Sequence, residues 1–420
     1  MIELSEARAF VLEACSVLPA VRIRTADALG CVATEALVSN QFVPPFANSA
    51  LDGFAVLARD TIGATLTNPV RLRLIGTIRA GMGPDTSPAA GDAVRIMTGA
   101  PMPTGADAIV MVEQSALVAD DQVDLFAQVE AGNAVRNAGE DLRPGDLVFP
   151  AGDVISAGHL GVLATLGVDE VQVVPRVRVG VMSTGDELVD GPEALAPGQI
   201  RDSNRQTLLA LVQQAGCVAI DLGRIPDDEA AITEALVAGA KTCDALISTG
   251  GVSMGDFDFV KIVLDRIGDV HWMQVAVKPA KPLACGTIPR SQSVESGPAS
   301  QSDQVSRVPV FGLPGNPVSS VVSFELFARP ALRKMMGHRD IDRRRIQAVA
   351  DEPLVRHPDG KVHVRQVVCT YGDDNSFHVV SAGGAGSHQL SVLVSANAMA
   401  VLPDGGSIEF GETVDVLLCD

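Results

Sequence analysis

Two lysines three residues apart, Lys278 and Lys281, stand in the segment KPAKP, interleaved with Pro279 and Pro282. The prolines exclude a helical turn, so the ammonium groups are presented along an extended segment and not stacked on a helix face. An oxyanion is the natural guest of such a pair, although a solvated surface charge is the ordinary fate of a lysine. A second stretch, DALISTGGVSMGDFD (244–258), runs from a short apolar strand into a turn of small residues containing Gly250, Gly251 and Ser253. Glycines there let bare backbone N–H groups approach an anion, and the carboxylates Asp256 and Asp258 follow at once. Anion donors beside acids point to a divalent cation bridging the two, because a bare phosphate would meet repulsion. A third stretch, GLPGNPVSS (312–320), joins a stiff turn at Pro314 and Asn316 to a helix start at Pro317 and Ser319. Such an N-terminus can hold phosphate, and a purely structural turn is its rival.

The elements that must carry these residues read as alternating strands and helices from 176 to 336, the mark of a parallel sheet with crossover helices. Strands are expected at 176–182, 218–223, 244–248, 270–277 and 308–313. The loops that follow are STGDEL, RIPDDE, TGGVSMGDFD, KPAKP and PGNPVSS. In a parallel sheet these loops leave the carboxyl edge, where open α/β folds bind ligands. Thr184, Asp186, Glu187, Asp227, Asp228, Ser253, Asp258, Lys278, Lys281 and Asn316 are therefore expected around one crevice. Glu187 and Asp258 are the leading ligands for Mg²⁺, which favours a few carboxylates together with substrate phosphate. The sequence has no GxxxxGK[ST], GxGxxG or HExxH, which removes the main support for P-loop, dinucleotide and zinc-peptidase readings.

The remainder of the 420 residues is organised around that segment, and the length calls for two to four domains. Ser5 is expected to cap a first helix carrying Phe10, Val11, Ala14 and Leu18, which Pro19 stops. Pro44 and Pro45 mark a boundary. Residues 45–147 form a β-rich insertion with strand-length runs between turns that expose Asp52, Thr98, Glu140 and Asp141. Taken singly these are turn formers. Helical text at 156–167 closes the small domain begun by the first helix, so residues 1–44 and 148–175 make one discontinuous domain. The α/β domain takes 176–336 and a small C-terminal β-barrel 337–420. The polar stretch 291–307 is expected to be a loop, with no function assigned.

A net charge of −19 disfavours nucleic acid and anionic membranes as partners. Seven scattered cysteines with no CxxC pair support neither a disulfide framework nor a structural zinc site. The N-terminus shows no leader pattern and no apolar run is long enough to span a bilayer, so a cytoplasmic protein is expected.

Taken together, SALDGFAV, RIMTGAPMPTGADAIV, STGDEL, DSN, STGGVSMGDFD, KPAKP, GLPGNPVSS and GAGSHQL resemble the MoeA family of molybdopterin molybdenumtransferases, related to the gephyrin E domain. The resemblance spans nearly the whole chain. It implies a homodimer with a MogA-like molybdopterin-binding α/β domain. The implied reaction converts adenylylated molybdopterin and molybdate to molybdenum cofactor and AMP, with Mg²⁺. A MogA-like adenylyltransferase is an implied partner. Carried over by position, the functional residues are Asp52, Thr98, Asp141, Glu187, Asp227 and Asp258. Lys278, Lys281 and Pro282 join them, with Arg365 and Ser387 completing an anion site from the barrel. Asp52 and Asp141 are expected to reach the crevice of a partner subunit. Three positions depart from the family pattern: Ala280 stands where glycine is usual, Leu51 where methionine is usual, and Gln274 where lysine is common. A MogA-like adenylyltransferase and a gephyrin-like scaffold are the alternative functions. The first would resemble residues 176–336 alone, and retention of the acids and lysines speaks against the second.

Overall fold

A computed structural model describes residues 1–251, 259–290, 306–384 and 386–419. The chain forms two compact units, one of Arg24–Leu29 and Glu35–Val171, the other of Met1–Ile23, Gly30–Thr34 and Gln172–Asp420. The first unit is built on a six-stranded sheet of β1 (Gly53–Val56), β2 (Val70–Ile78), β3 (Asp92–Ile96), β4 (Ala108–Met111), β5 (Ser115–Ala119) and β6 (Gln122–Leu125), in the order β4-β1-β3-β2-β6-β5. Phe54, Val56, Leu72, Val110, Val123 and Leu125 form one buried cluster on it. Ala55, Ile78, Val94, Ile96 and Ile109 form another, which is the period-two alternation of a sheet covered on both faces. Helix α2 (Ala157–Thr165) opens with a capping box between Ser156 and His159 in the same unit.

The second unit holds the α/β sheet. Its strands are β7 (Arg178–Thr184), β8 (Val218–Ile225), β9 (Ala245–Thr249), β10 (Asp269–Gln274), β12 (Pro282–Pro289) and β13 (Arg307–Leu313), in the order β8-β7-β9-β13-β12-β10; a two-residue strand, β11 (Val277–Lys278), lies outside it. Strands β8, β7, β9 and β13 are parallel. Odd-numbered Val179, Val181, Ala245, Ile247, Phe311 and Leu313 pack with helix α3 (Ser203–Gln214) and helices α6 (Pro317–Ser323) and α7 (Arg329–Met335). Even-numbered Met182, Leu246, Val308 and Val310 pack with α4 (Glu229–Thr242) and α5 (Phe259–Ile267). Both faces are covered, which is why these strands read as unbroken apolar runs.

The sheet departs from the expected all-parallel arrangement on one side. The text 270–277 is not one strand: β10 ends at Gln274, and the unanticipated β12 runs antiparallel to both β10 and β13. Two reversals restore direction, so β10 still points its carboxyl end to the same edge as β7, β8, β9 and β13. The first helix, α1 (Leu4–Glu13), also differs. Glu3 and not Ser5 occupies its N-cap, and it buries Ala7 and Val11 in the core of the α/β unit. Phe10 and Leu18 pack only at the margin of that core. Helices α1 and α2 therefore belong to different compact units.

The C-terminal segment closes into a five-stranded barrel of β14 (Arg345–Ala350), β15 (Val362–Tyr371), β16 (Phe377–Ser381), β17 (Ala398–Leu402) and β18 (Thr413–Leu418). The ring shuts where β15 pairs with β17. It is tied to the α/β sheet by β11, which runs parallel to β15 with Val277 opposite Val362 and Lys278 opposite His363. Among the described residues no helix is long and apolar enough to cross a membrane.

Candidate functional site

The carboxyl edge of the α/β sheet and the near end of the barrel enclose a cavity of about 870 Å³. Each of the five sheet-edge loops reaches it. Thr184 and Glu187 come from the loop after β7, Asp227 from the loop after β8, and Gly250 and Gly251 from the loop after β9. Lys278, Lys281 and Pro282 come from the KPAKP segment, and Pro314, Asn316 and Ser319 from the turn after β13. Arg365 on β15 and Ser387 in the loop beyond β16 complete the lining from the barrel side. Ser253 and Asp258, expected here, lie outside the described residues, as do Asp256 and the stretch 291–305.

Backbone geometry explains the glycines. Gly250 has φ +91, and a Cβ there would stand 2.7 Å from the Thr184 carbonyl oxygen. Only glycine brings these two strand ends so close. The turn after β13 is tied down by Asn204, the third residue of DSN, whose amide donates to Thr249 Oγ1 at 3.0 Å and to the Gly315 carbonyl at 2.7 Å. Thr249 in turn donates to the Pro314 carbonyl at 3.3 Å. Asn204 is a positioning residue that inspection of the loops alone passed over, because it acts from the start of α3. Its neighbour Asp202 caps that helix at Arg205 N and accepts from buried Ser183 Oγ at 2.5 Å.

The expected phosphate site at the start of α6 is narrower than its sequence suggested. Pro317 supplies no N–H and does not line the cavity, and Val318 N donates to the Ser387 carbonyl at 3.1 Å. This bond docks the barrel loop onto the helix start. Asp228 is likewise structural, capping α4 through Ala231 N at 2.9 Å.

Glu187 and Asp227 line another part of the cavity, whereas Asp186, expected there, is not part of the lining. Asp186 Oδ1 accepts the Asp227 backbone N–H at 3.2 Å. Partial burial, then repulsion from Asp186 and Glu187, pushes the Asp227 carboxyl above its ordinary range. Because Asp227 holds its proton to higher pH folded than unfolded, the folded chain binds more protons, and its stability declines as pH rises through the carboxylate range. The penalty is fully present at neutral pH. Asp227→Asn is accordingly expected to raise the thermal unfolding midpoint at pH 7.5 but not at pH 3; an equal or lower midpoint at pH 7.5 would contradict the crowding.

The cations face the acids across the cavity. Lys278 and Lys281 are exposed, whereas Arg365 is half-buried, donates to the Val355 carbonyl at 2.5 Å and is pushed down from its usual range by burial. Lys361 and His363, which sequence reading missed, also line this side. Alternation along β15 was the only available signal for His363. Of the family departures, Ala280 is buried and holds φ +85, the left-handed conformation glycine adopts without strain. Gln274 ends β10 opposite Pro282 and is not part of the lining, so the absence of a lysine there leaves the cavity wall unchanged.

Asp52 and Thr98 meet each other in the β-rich unit. Thr98 donates to Asp52 Oδ1 from both its backbone N and its Oγ1, each at 2.7 Å, which holds the Asp52 carboxyl below its ordinary range. Asp141 is exposed in the same unit, and its backbone N donates to the Val43 carbonyl at 2.9 Å.

Comparison with known proteins agrees with this architecture along the chain. Residues 2–167 match the MoeA N-terminal region (domain I and II), residues 180–334 a probable molybdopterin binding domain, and residues 348–419 the MoeA C-terminal region (domain IV). A molybdopterin molybdenumtransferase of Haemophilus influenzae is 34% identical over 99% of this chain and 98% of its own. The chain belongs to the MoeA family. Another relative, molybdopterin molybdenumtransferase 2 of Mycobacterium tuberculosis, is 38% identical over 91% of each chain. The crystal structure of a molybdopterin biosynthesis MoeA protein from Pyrococcus horikoshii superposes with a TM-score of 0.76 at 26% identity, covering 100% of this chain and 99% of that one.

Proposed function

We propose that this MoeA-family chain is a molybdopterin molybdenumtransferase that inserts molybdate into adenylylated molybdopterin and releases AMP. The observation that carries the reading is the meeting of backbone donors, acids and cations from five sheet-edge loops and the barrel around one cavity. A volume of about 870 Å³ suits a nucleotide conjugate and leaves room for a second anion. Lys278 and Lys281, with Arg365 and Ser387 opposite, hold molybdate. Gly250 and Gly251 let the backbone approach the phosphate linkage, while Thr184, Pro314, Asn316 and Ser319 shape the wall around it.

Mg²⁺ suits the acidic part of the cavity, because the negative charges of Asp186 and Glu187 crowd Asp227. Among the described residues no three His, Cys, Asp or Glu side chains are grouped closely enough to hold a metal alone, so one or two carboxylates would share the ion with substrate oxygens. Glu187 and Asp258 would hold it, where Mg²⁺ would offset negative charge on the phosphate linkage. Asp227 orients the same linkage from the adjoining loop.

The active form is a homodimer in which Asp52, Thr98 and Asp141 serve the partner subunit's cavity. Mixing Asp52→Ala with Lys281→Ala protein after partial denaturation and refolding is expected to restore activity that neither variant has, since mixed dimers regain one intact site. Two inactive parents giving an inactive mixture would contradict the shared site. An adenylyltransferase needs only the α/β domain; the β-rich unit and the barrel residues in the cavity favour the transferase. The deciding experiment supplies adenylylated molybdopterin and Mg²⁺ and follows AMP with and without molybdate. AMP release that requires molybdate supports the proposal, and release indifferent to molybdate, or no release, overturns it.

A further inference from the structure

His363 and Arg365 occupy alternate positions on β15, on the face that farther along carries the barrel-core residues Val367 and Cys369, and Lys361 immediately precedes the strand. All three basic residues line the cavity. Strand β11 sets Lys278 in register with His363, so Lys278 joins the barrel cations in one row. Asp359 anchors it from behind, accepting from Lys361 Nζ at 3.1 Å and bonding His363 Nε2 at 3.0 Å. Arg356, its side chain fully buried, stands 3.6 Å from the same carboxylate. With Nε2 donating to Asp359, the neutral ring has only Nδ1 left, as an acceptor. No hydrogen bond to Nδ1 occurs among the described residues. A lone pair there would repel an anion; an N–H would bind it.

We propose that His363 is a proton-coupled oxyanion ligand: an oxyanion entering the cavity draws one proton from solvent onto the free imidazole nitrogen, and the ring then binds it as a cation. This rests on the reading of the cavity as an oxyanion site and adds a residue that works only when charged. The surroundings keep His363 neutral while the cavity is empty. Burial acts first in lowering its pKa, Asp359 opposes, and Arg356 and Lys278 lower it further. Lys361, just before β15, and Arg365 on it lie two residues to either side, and the β17 residue opposite it, Leu402, carries no charge. A dianion placed among these groups reverses the balance and raises the affinity of the ring for its proton. By linkage, the extra oxyanion affinity is fully present below the empty-site pKa and lost as pH rises through the occupied-site value.

Molybdate alone is the probe, titrated calorimetrically between pH 6 and pH 8 in buffers of different ionisation enthalpy. Wild-type protein is expected to take up a proton with the anion over part of this range, and to bind roughly tenfold more tightly at pH 6 than at pH 8. His363→Gln is expected to show no such uptake and to bind nearly equally at both. In parallel, the His363 imidazole NMR resonance, assigned in wild-type protein by through-bond correlation to its backbone, should titrate at higher pH once molybdate is saturating; this readout needs no variant. Equal proton uptake and equal pH dependence in the two proteins, or an unmoved titration, overturns the proposal while leaving the cavity an oxyanion site. Failure of molybdate to bind either protein at any pH overturns both.

Discussion

Lys281→Ala is expected to slow molybdate-dependent AMP release by roughly a hundredfold or more while leaving the unfolding midpoint unchanged. The expectation follows from where Lys281 stands. Its side chain is exposed and makes no hydrogen bond or ion pair among the described residues, while its backbone carbonyl accepts from Val275 N at 2.8 Å. Removing the ammonium group therefore leaves no buried partner orphaned, and surface truncations of this kind shift stability by about 0.5 kcal/mol or less. The same removal strips a cation from the wall where negative charge must gather. Steady-state AMP release and circular dichroism on one preparation separate the two effects. A normal rate would remove Lys281 from the machinery, and a low rate with a collapsed melt would make it structural.

Arg356→Ala should act in the opposite way, through stability first. The Arg356 side chain is 0% exposed. It donates to the carbonyls of Lys361 at 3.1 Å and Leu402 at 3.2 Å, and pairs with Asp404 at 2.5 Å. These bonds stitch the loop before β15 to the end of β17. Deleting the guanidinium strands the carbonyls and takes a cation from two partly exposed carboxylates, Asp404 and Asp359, so a loss of about 2–4 kcal/mol is expected in urea unfolding. Because the loop carries Asp359, the cationic row at the cavity loosens too, and oxyanion affinity should fall even at temperatures where the variant is folded. Wild-type stability in the variant would mean that solvent substitutes for the buried network.

Much of this arrangement was legible in the sequence for a simple reason. Parallel strands covered on both faces read as bare apolar runs, and their loops must leave one edge, so Thr184, Glu187, Asp227, Gly250, Lys278 and Asn316 could be grouped before any coordinates. The gaps have equally definite causes. Strand β12 was missed because PLACGTIP begins and ends with proline, contains Cys and Gly, and follows directly on the KPAKP turn. Asn204 was passed over because it works across a helix start on backbone carbonyls that no side-chain pattern announces. His363 sits in a strand whose alternation was read as barrel, with Lys361 just before it, and the pairing of β11 with β15 sets His363 beside Lys278. Asp228 went the other way: its acidity suggested chemistry, but its position one residue before α4 makes it a cap.

A single cavity that holds a phosphate linkage and an oxyanion together must couple their fates. Single-turnover AMP release from adenylylated molybdopterin with Mg²⁺, measured as molybdate is raised from zero, reads that coupling. Release is expected to be negligible without molybdate and to rise saturably with it. A rate that does not depend on molybdate concentration would contradict the coupling.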